Sequence, residues 1–595
     1  VSTHDPIVFQ KTHALVLEWI RKGEVDGVRI DHPDGLRDPT GYFHRLRAER
    51  ADLWIVAEKI LQPREKLPAD WAVDGTTGYE FLNEVGALFV SKDAEPALTE
   101  VHRRFLGLAE AQDFKAEERA AKRQILDDLL AAELRRLTRL FQRICASKRR
   151  HRDFAREELR RALREVICFF PVYRTYLQAN SPNRHPDVEY VRAAVRAAAE
   201  SRGDLDSELL TFLEELLSGK CLSELEWEFV ARFQQLTSAA MAKGIEDTAF
   251  YRYTRLVSLN EVGGDPARFG TALSDFHAFC EETQRRWPRT LVTGTTHDTK
   301  RSQDARLRIS ALSELVEEWA AAVQDWSTRA RVYAKGPVPD PATEYLIWQT
   351  LVGAHPISEQ RLTTYLEKAM REAKVHTSWL AQNQEYERAV LDFARGVLAD
   401  SALMESVSKF VERVLPIAWR SSLSETLILL TACGVPDIYQ GSEIWDTRLT
   451  DPDNRHRVDF ETLARRLETS RRAGPEEALA RISEGVPKLW LIHRVLVARG
   501  QNPEWFGAEA PYVPLRARGR HAERVVAYQR GARVVGVAPR LWSAILKQGM
   551  GDTHLTLPGG RFRNVLDRDA RYEGTVQLAT LLERFPVALL IAEDE

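Results

Sequence analysis

The strongest constraint on the fold is a spacing repeated through the first 90 residues, where short apolar runs alternate with stretches of helical period. Leu15 to Arg21 reads as a helix, Val25 to Asp31 as a strand, Gly41 to Arg50 as a helix and Leu53 to Glu58 as a strand. Strands at this spacing need crossover helices, so the two are expected to lie parallel and adjacent.

Both strands end in a carboxylate. In GVRIDHPDG, residues 27–35, a period of two sets Val28 and Ile30 on one face and Arg29 and Asp31 on the other. A cation beside a carboxylate lowers its pKa and keeps it ionised, as a carboxylate nucleophile requires. Pro33, Asp34 and Gly35 predict a turn that leaves Asp31 at the carboxyl end of its strand, where catalytic groups of parallel α/β barrels sit. In LWIVAEKIL, residues 53–61, Trp54, Val56 and Glu58 alternate against Ile55, Ala57 and Lys59. Glu58 follows Asp31 by 27 positions, about one strand, loop, helix and loop. Two carboxyls on adjacent strand ends, about 5 to 5.5 Å apart, are what a retaining glycosidase needs. Lys59 is expected to point away from Glu58, and burial among apolar residues to raise the Glu58 pKa. A third acidic group lies in TTHDTKR, residues 295–301, after a short strand TLVTG. There His297 and Asp298 precede Lys300 and Arg301. Taken singly, each segment is also compatible with a solvated charge pair at a strand end.

At 595 residues the chain exceeds one core, and roughly three to five modules are expected. Residues 1–90 read as barrel βα units and 91–285 as a Leu-rich helical insertion with one strand near 165–175. Residues 286–510 read as further barrel strands, ending at GVPDIYQG, with helical insertions, and 511–595 as an all-β domain. Lys and Arg number 84 against 87 Asp and Glu, so no global field attracts nucleic acid or anionic lipid. The basic run SKRRHR, residues 147–152, is followed by interleaved Glu and Arg and reads as a solvated helix face. No apolar run approaches the ~18 residues of a membrane span. Cys145, Cys168, Cys221, Cys280 and Cys433 are scattered, which argues against a disulfide framework or a structural zinc and for a reducing, cytoplasmic setting. No H-E-x-x-H, P-loop or G-x-G-x-x-G pattern appears, so neither a metal nor a cofactor is expected.

Together the three acidic segments resemble the α-amylase superfamily of (β/α)8-barrel glycosidases, and GVPDIYQGSE resembles its last barrel strand. Within it the match is closer to a trehalose-forming branch, through DHPDGLRDP, EKIL, VDGTTGYEF, FPVYRTY, MAKGIEDTAFYRY, NEVGGDP, THDTKRSQDAR and DPDNRHRVDF. The resemblance covers nearly the whole chain. It implies a TIM-type barrel, Asp31 as nucleophile, Glu58 as acid/base and Asp298 as the carboxylate that binds ring hydroxyls. Arg29 would hold Asp31 ionised, and His297 would hydrogen-bond a hydroxyl in the cleaved subsite. His32, Lys59, Tyr173, Arg174, Lys300 and Arg301 would serve neighbouring subsites. The implied reaction converts the last α-1,4 linkage of a maltooligosaccharide into an α,α-1,1 linkage, with helical insertions walling the pocket against water. A barrel hydrolase or glucanotransferase on α-1,4-glucan is the alternative, as is an inactive fragment. A trehalose-releasing hydrolase is the implied functional partner. The chain opens at Val1 without the three strands that precede GVRID in the family, so barrel strands four to eight are expected here.

Overall fold

The computed structural model describes residues 2–178, 185–220, 223–567 and 570–593, so Cys221 lies outside the described residues. The chain divides into two compact units, Val1–Thr77 with Asp113–Arg252, and Gly78–Gln112 with Tyr253–Glu595. The first boundary thus falls before the expected residue 90, and residues 253–285 group with the second unit.

The first unit opens with helix α1 (Pro6–Lys22). Asp5 caps it by accepting from the Ile7 and Val8 amides, Pro6 occupies its first turn, and Gly23 at φ 70° ends it. Strand β1 (Gly27–Ile30), helix α2 (Pro39–Glu49), strand β2 (Trp54–Ala57) and strand β3 (Gly75–Thr76) follow. The strands form one parallel sheet in the order β1-β2-β3, with Gly27 opposite Trp54 and Ile30 opposite Ala57. A Cβ at Gly27 would stand 2.7 Å from the Trp54 carbonyl oxygen, so only glycine admits this close approach.

The rest of this unit is helical. Helices including Ala131–Ser147, Arg156–Cys168 and Glu224–Met241 enclose a core of Leu137, Phe141, Leu163, Val166, Phe229 and Phe233. The strand expected near 165–175 is not formed. Leu159, Leu163, Val166 and Ile167 recur at helical spacing and are all buried in the helix Arg156–Cys168. Burial on that face outweighs the strand preference of Val166 and Ile167. Pro171 stands just past the helix end, where it cannot continue the hydrogen-bonded turns. The third parallel strand is instead β3, two residues of VDGTTGYEF.

In the second unit, strands β4 (Leu291–Thr293) and β5 (Val435–Asp437) pair in parallel with Leu291 opposite Val435, as TLVTG and GVPDIYQG suggest. Gly434 at φ 67° turns the chain into β5, where a Cβ would meet the Thr290 carbonyl oxygen at 2.7 Å. Helices, among them Ser401–Thr431, fill the sequence between. The C-terminal strands are β6 (Tyr512–Leu515), β7 (Val525–Arg530), β8 (Val534–Pro539), β9 (His554–Thr556), β10 (Phe562–Asn564), β11 (Arg571–Tyr572), β12 (Thr575–Gln577) and β13 (Ala588–Ala592). They build a six-stranded antiparallel sheet, β11-β10-β13-β8-β7-β6, and a β12-β9 pair. The expected all-β domain also holds two short helices, Trp542–Gln548 and Leu578–Leu581. Val526, Tyr528 and Leu589 of its sheet share a core with Leu427 and Ile428 of the long helix and with Trp490.

Among the described residues the five parallel strands form a three-stranded and a two-stranded sheet, with no closed barrel. No helix of the described residues is long and apolar enough to cross a membrane.

Candidate active site

The β1–β2 ladder continues one residue past its strands, for the Glu58 amide donates to the Ile30 carbonyl at 2.9 Å. Asp31 and Glu58 therefore leave adjacent parallel strands side by side. Strand alternation turns Arg29 to the same side, and its guanidinium spans both acids. Nη1 donates to Asp31 Oδ1 at 2.8 Å and Nη2 to Glu58 Oε1 at 2.9 Å. This is the fork geometry that a lysine ammonium cannot reproduce.

His32 closes the other side. Its backbone is left-handed, at φ 45°, which points its amide at Glu58 Oε2 over 3.1 Å. Its ring Nδ1 lies 3.0 Å from the same oxygen and 3.3 Å from Asp31 Oδ2. One ligating atom from each of Asp31, His32 and Glu58 lies within 4.8 Å of the others, so the carboxyls are as close as a retaining pair requires. The Asp31 side chain is 67% exposed and that of Glu58 only 4%. Glu58 is buried as the sequence suggests, though its oxygens meet Arg29 and His32 rather than an apolar wall.

The electrostatics follow from these contacts. A hydrogen bond with Glu58, aided by Arg29 and His32 and opposed by partial burial, lowers the Asp31 pKa to about 2. The hydrogen bond to Glu58 also leads the causes that raise His32 to about 9, burial opposing and the charges of Glu58 and Asp31 adding. Asp31 is thus an anion at neutral pH, and Glu58 lies against it with Arg29 on one oxygen and His32 on the other. Asp31, His32 and Glu58 are also the one cluster of described residues with spacing for a metal ion. The Arg29 guanidinium already occupies an oxygen of each carboxyl group where a cation would sit, so the arrangement suits proton exchange better.

Lys59, Tyr173 and Arg174 are placed differently from the expected subsite residues. Lys59 points away from Glu58, is fully buried, and pairs with Glu65 at 2.9 Å and Asp34 at 3.4 Å. Burial pulls its pKa down, and Asp34 and Glu65 more than offset this. Its ammonium also stands 5.1 Å from the centre of the buried Tyr173 ring, whose hydroxyl donates to Glu246. Arg174 is buried and donates to the carbonyls of Asp34 at 2.7 Å and Leu36 at 2.6 Å. Asp34, Glu65, Tyr176 and Glu246, none of them anticipated, complete this layer. Only Asp34 carried a signal, its place in the DHPDG turn.

The third acidic segment belongs to the second unit. Following β4, Thr296 Oγ1 accepts from the Asp298 amide at 3.1 Å and lies 3.1 Å from the Tyr79 hydroxyl. His297 Nε2 is 3.2 Å from Asp298 Oδ2, and both side chains are partly exposed. Lys300 and Arg301 are buried, and their amides donate to the buried Glu261 at 2.6 and 3.2 Å. The Arg301 guanidinium donates to the Val257 carbonyl at 3.1 Å and the Tyr365 hydroxyl at 2.7 Å. The His297 carbonyl accepts from Asn454 Nδ2 at 2.8 Å, which ties DPDNRHRVDF to this loop. Glu261, in NEVGGDP, is a positioning group that its own segment does not reveal.

No family model matches the chain. It is 36% identical over 609 aligned residues, 99% of this chain and 72% of the relative, to a Mycobacterium tuberculosis protein named "Putative maltooligosyl trehalose synthase". The solved maltooligosyltrehalose synthase from Arthrobacter ramosus matches with a TM-score of 0.88 at 34% identity, over 100% of this chain and 73% of that one. A solved structure titled "DSM5389 glycosyltrehalose synthase" matches with a TM-score of 0.80 at 30% identity, over 100% of this chain and 71% of that one.

Proposed function

The chain belongs to the maltooligosyl trehalose synthase family, and on that premise we propose that it is a (1→4)-α-D-glucan 1-α-D-glucosylmutase. It moves the reducing-end glucose of a maltooligosaccharide from an α-1,4 to an α,α-1,1 linkage. The observation that carries this reading is the Arg29 fork holding Asp31 and Glu58 together at adjacent strand ends.

Asp31 attacks C1 of the penultimate sugar while Glu58 gives its proton to the departing glycosidic oxygen. The bond from C1 to O4 of the terminal glucose breaks, and a glycosyl ester forms on Asp31. The freed glucose is retained and turns. Glu58, now a base, takes the proton from its anomeric hydroxyl, whose oxygen displaces Asp31. Two inversions restore the α configuration. In this reading Asp298 holds ring hydroxyls and His297 a hydroxyl of the cleaved subsite, with His32 at its neighbour. The parallel strands are read as belonging to barrel strands four to eight, from the family resemblance. The product, a trehalose-ended glucan, is the substrate class of a hydrolase that would release trehalose, and both are placed in the cytoplasm.

Trapping tests the assignment. Glu58→Gln incubated with α-maltosyl fluoride is expected to accumulate a maltosyl adduct on the peptide containing Asp31, read by mass spectrometry. A turned-over substrate with the adduct on another residue would overturn it.

A further inference from the structure

Asp31 and Glu58 each lead into a segment with no further strand pairing to hold it. After Asp31 come the left-handed His32 and one turn of 3-10 helix, Pro33–Gly35. After Glu58 the chain runs irregularly through Ile60 to Glu65. A buried charge joins the two. Lys59 Nζ lies 3.4 Å from Asp34 Oδ2 in the first segment, and 2.9 Å from Glu65 Oε1 and 2.7 Å from the Ile60 carbonyl in the second. Asp34 is itself fixed from below, its Oδ1 accepting from the Tyr176 hydroxyl and its carbonyl from Arg174.

The geometry points to Asp34 and Lys59 as a coupled pair of positioning residues that set the separation of the nucleophile and the acid/base. The inference rests on the catalytic roles given to Asp31 and Glu58, and neither Asp34 nor Lys59 touches substrate in it. A buried ion pair adds little net stability, because desolvation cancels most of the attraction. What it does supply is direction, since the buried ammonium is held between Asp34 of one segment and Glu65 of the other. A retaining mechanism needs that direction, because displacement of a reacting group by about 1 Å costs on the order of a hundredfold in rate.

The test is a double-mutant cycle in kcat on maltopentaose, with Asp34→Asn, Lys59→Met and the double variant. Circular dichroism at the assay temperature corrects each for its folded fraction. Each single variant is expected to lose about 30- to 100-fold in kcat with KM changed less than about threefold, following the same displacement argument. The double variant is expected to lie within about twofold of the worse single one, since a pair acting as a unit is lost only once. Losses that multiply, or folded variants with wild-type kcat, would overturn the pairing. Asp31→Asn, run in parallel, separates the two questions. If it keeps activity the catalytic assignment falls, whereas if it is inactive while Asp34→Asn and Lys59→Met are unimpaired, only the positioning role falls.

Discussion

Arg29 donates to Glu58 Oε1 from Nη2 at 2.9 Å, and the Glu58 side chain it reaches is almost wholly buried. The same guanidinium holds Asp31, so one residue in the middle of β1 organises both carboxyls. Replacing it tests how much of the site depends on the fork. Arg29→Lys is expected to lose at least about a hundredfold in kcat, because a single ammonium cannot donate along two divergent directions. Steady-state kinetics on maltopentaose check this, and an Arg29→Lys enzyme within a few-fold of wild type would count against the fork.

His32 sets the behaviour at alkaline pH. Its pKa in the folded chain is raised to about 9, chiefly by the Glu58 hydrogen bond. A raised pKa means that protonated His32 favours the fold fully below the ordinary histidine value of ~6.5, and that this contribution fades as pH climbs through about 9. Asp31 runs the other way. Lowered to about 2, it contributes above the ordinary carboxylate range and loses its contribution as pH falls through about 2. Both side chains are well exposed, so screening keeps the effect on stability small. The sharper readout is the His32 ring, whose NMR titration is expected to centre near 9. A midpoint at or below 6.5 would remove the contact with Glu58.

Glu261 is expected to matter without touching sugar. Its carboxylate accepts the Lys300 and Arg301 amides, which fixes the loop carrying His297 and Asp298. Glu261→Gln turns one accepting oxygen into a donor and leaves a buried amide unmatched, at a cost of about 1 to 3 kcal/mol. The predicted outcome is a lower thermal midpoint together with a raised KM for maltopentaose, measured by calorimetry and initial rates.

The helix Arg156–Cys168 gives a test independent of catalysis. Leu163 is buried on the face that packs into the core of the first unit. Leu163→Ala is expected to destabilise by roughly 2 to 5 kcal/mol in urea unfolding, as buried leucine truncations do. Arg160→Ala, on the solvated face, is expected to change stability by less than about 1 kcal/mol.

These residues also show which parts of the structure are legible in the chain. β1 and β2 announce themselves because alternation and a charged end coincide in each, with a turn directly after β1, and Asp31 and Glu58 are picked out at the same stroke. β3 is two residues long and carries no periodicity. Val166 and Ile167 mislead because their local preference is for strand while the burial that decides their state comes from helices distant in sequence. Lys59 shows both sides. Its direction, away from Glu58, follows from strand alternation, but its partners Asp34 and Glu65 meet it only in the folded chain, where the residue that the resemblance gives to a neighbouring subsite is buried between them.

The central claim is that the freed glucose is kept and rejoined through its anomeric hydroxyl. Proton NMR of maltopentaose during turnover tests it most directly. The expected result is loss of the reducing-end anomeric signals, growth of an α,α-1,1 signal, and a constant number of sugar units per chain. Equal amounts of free glucose and maltotetraose, with reducing ends conserved or increased, would contradict it.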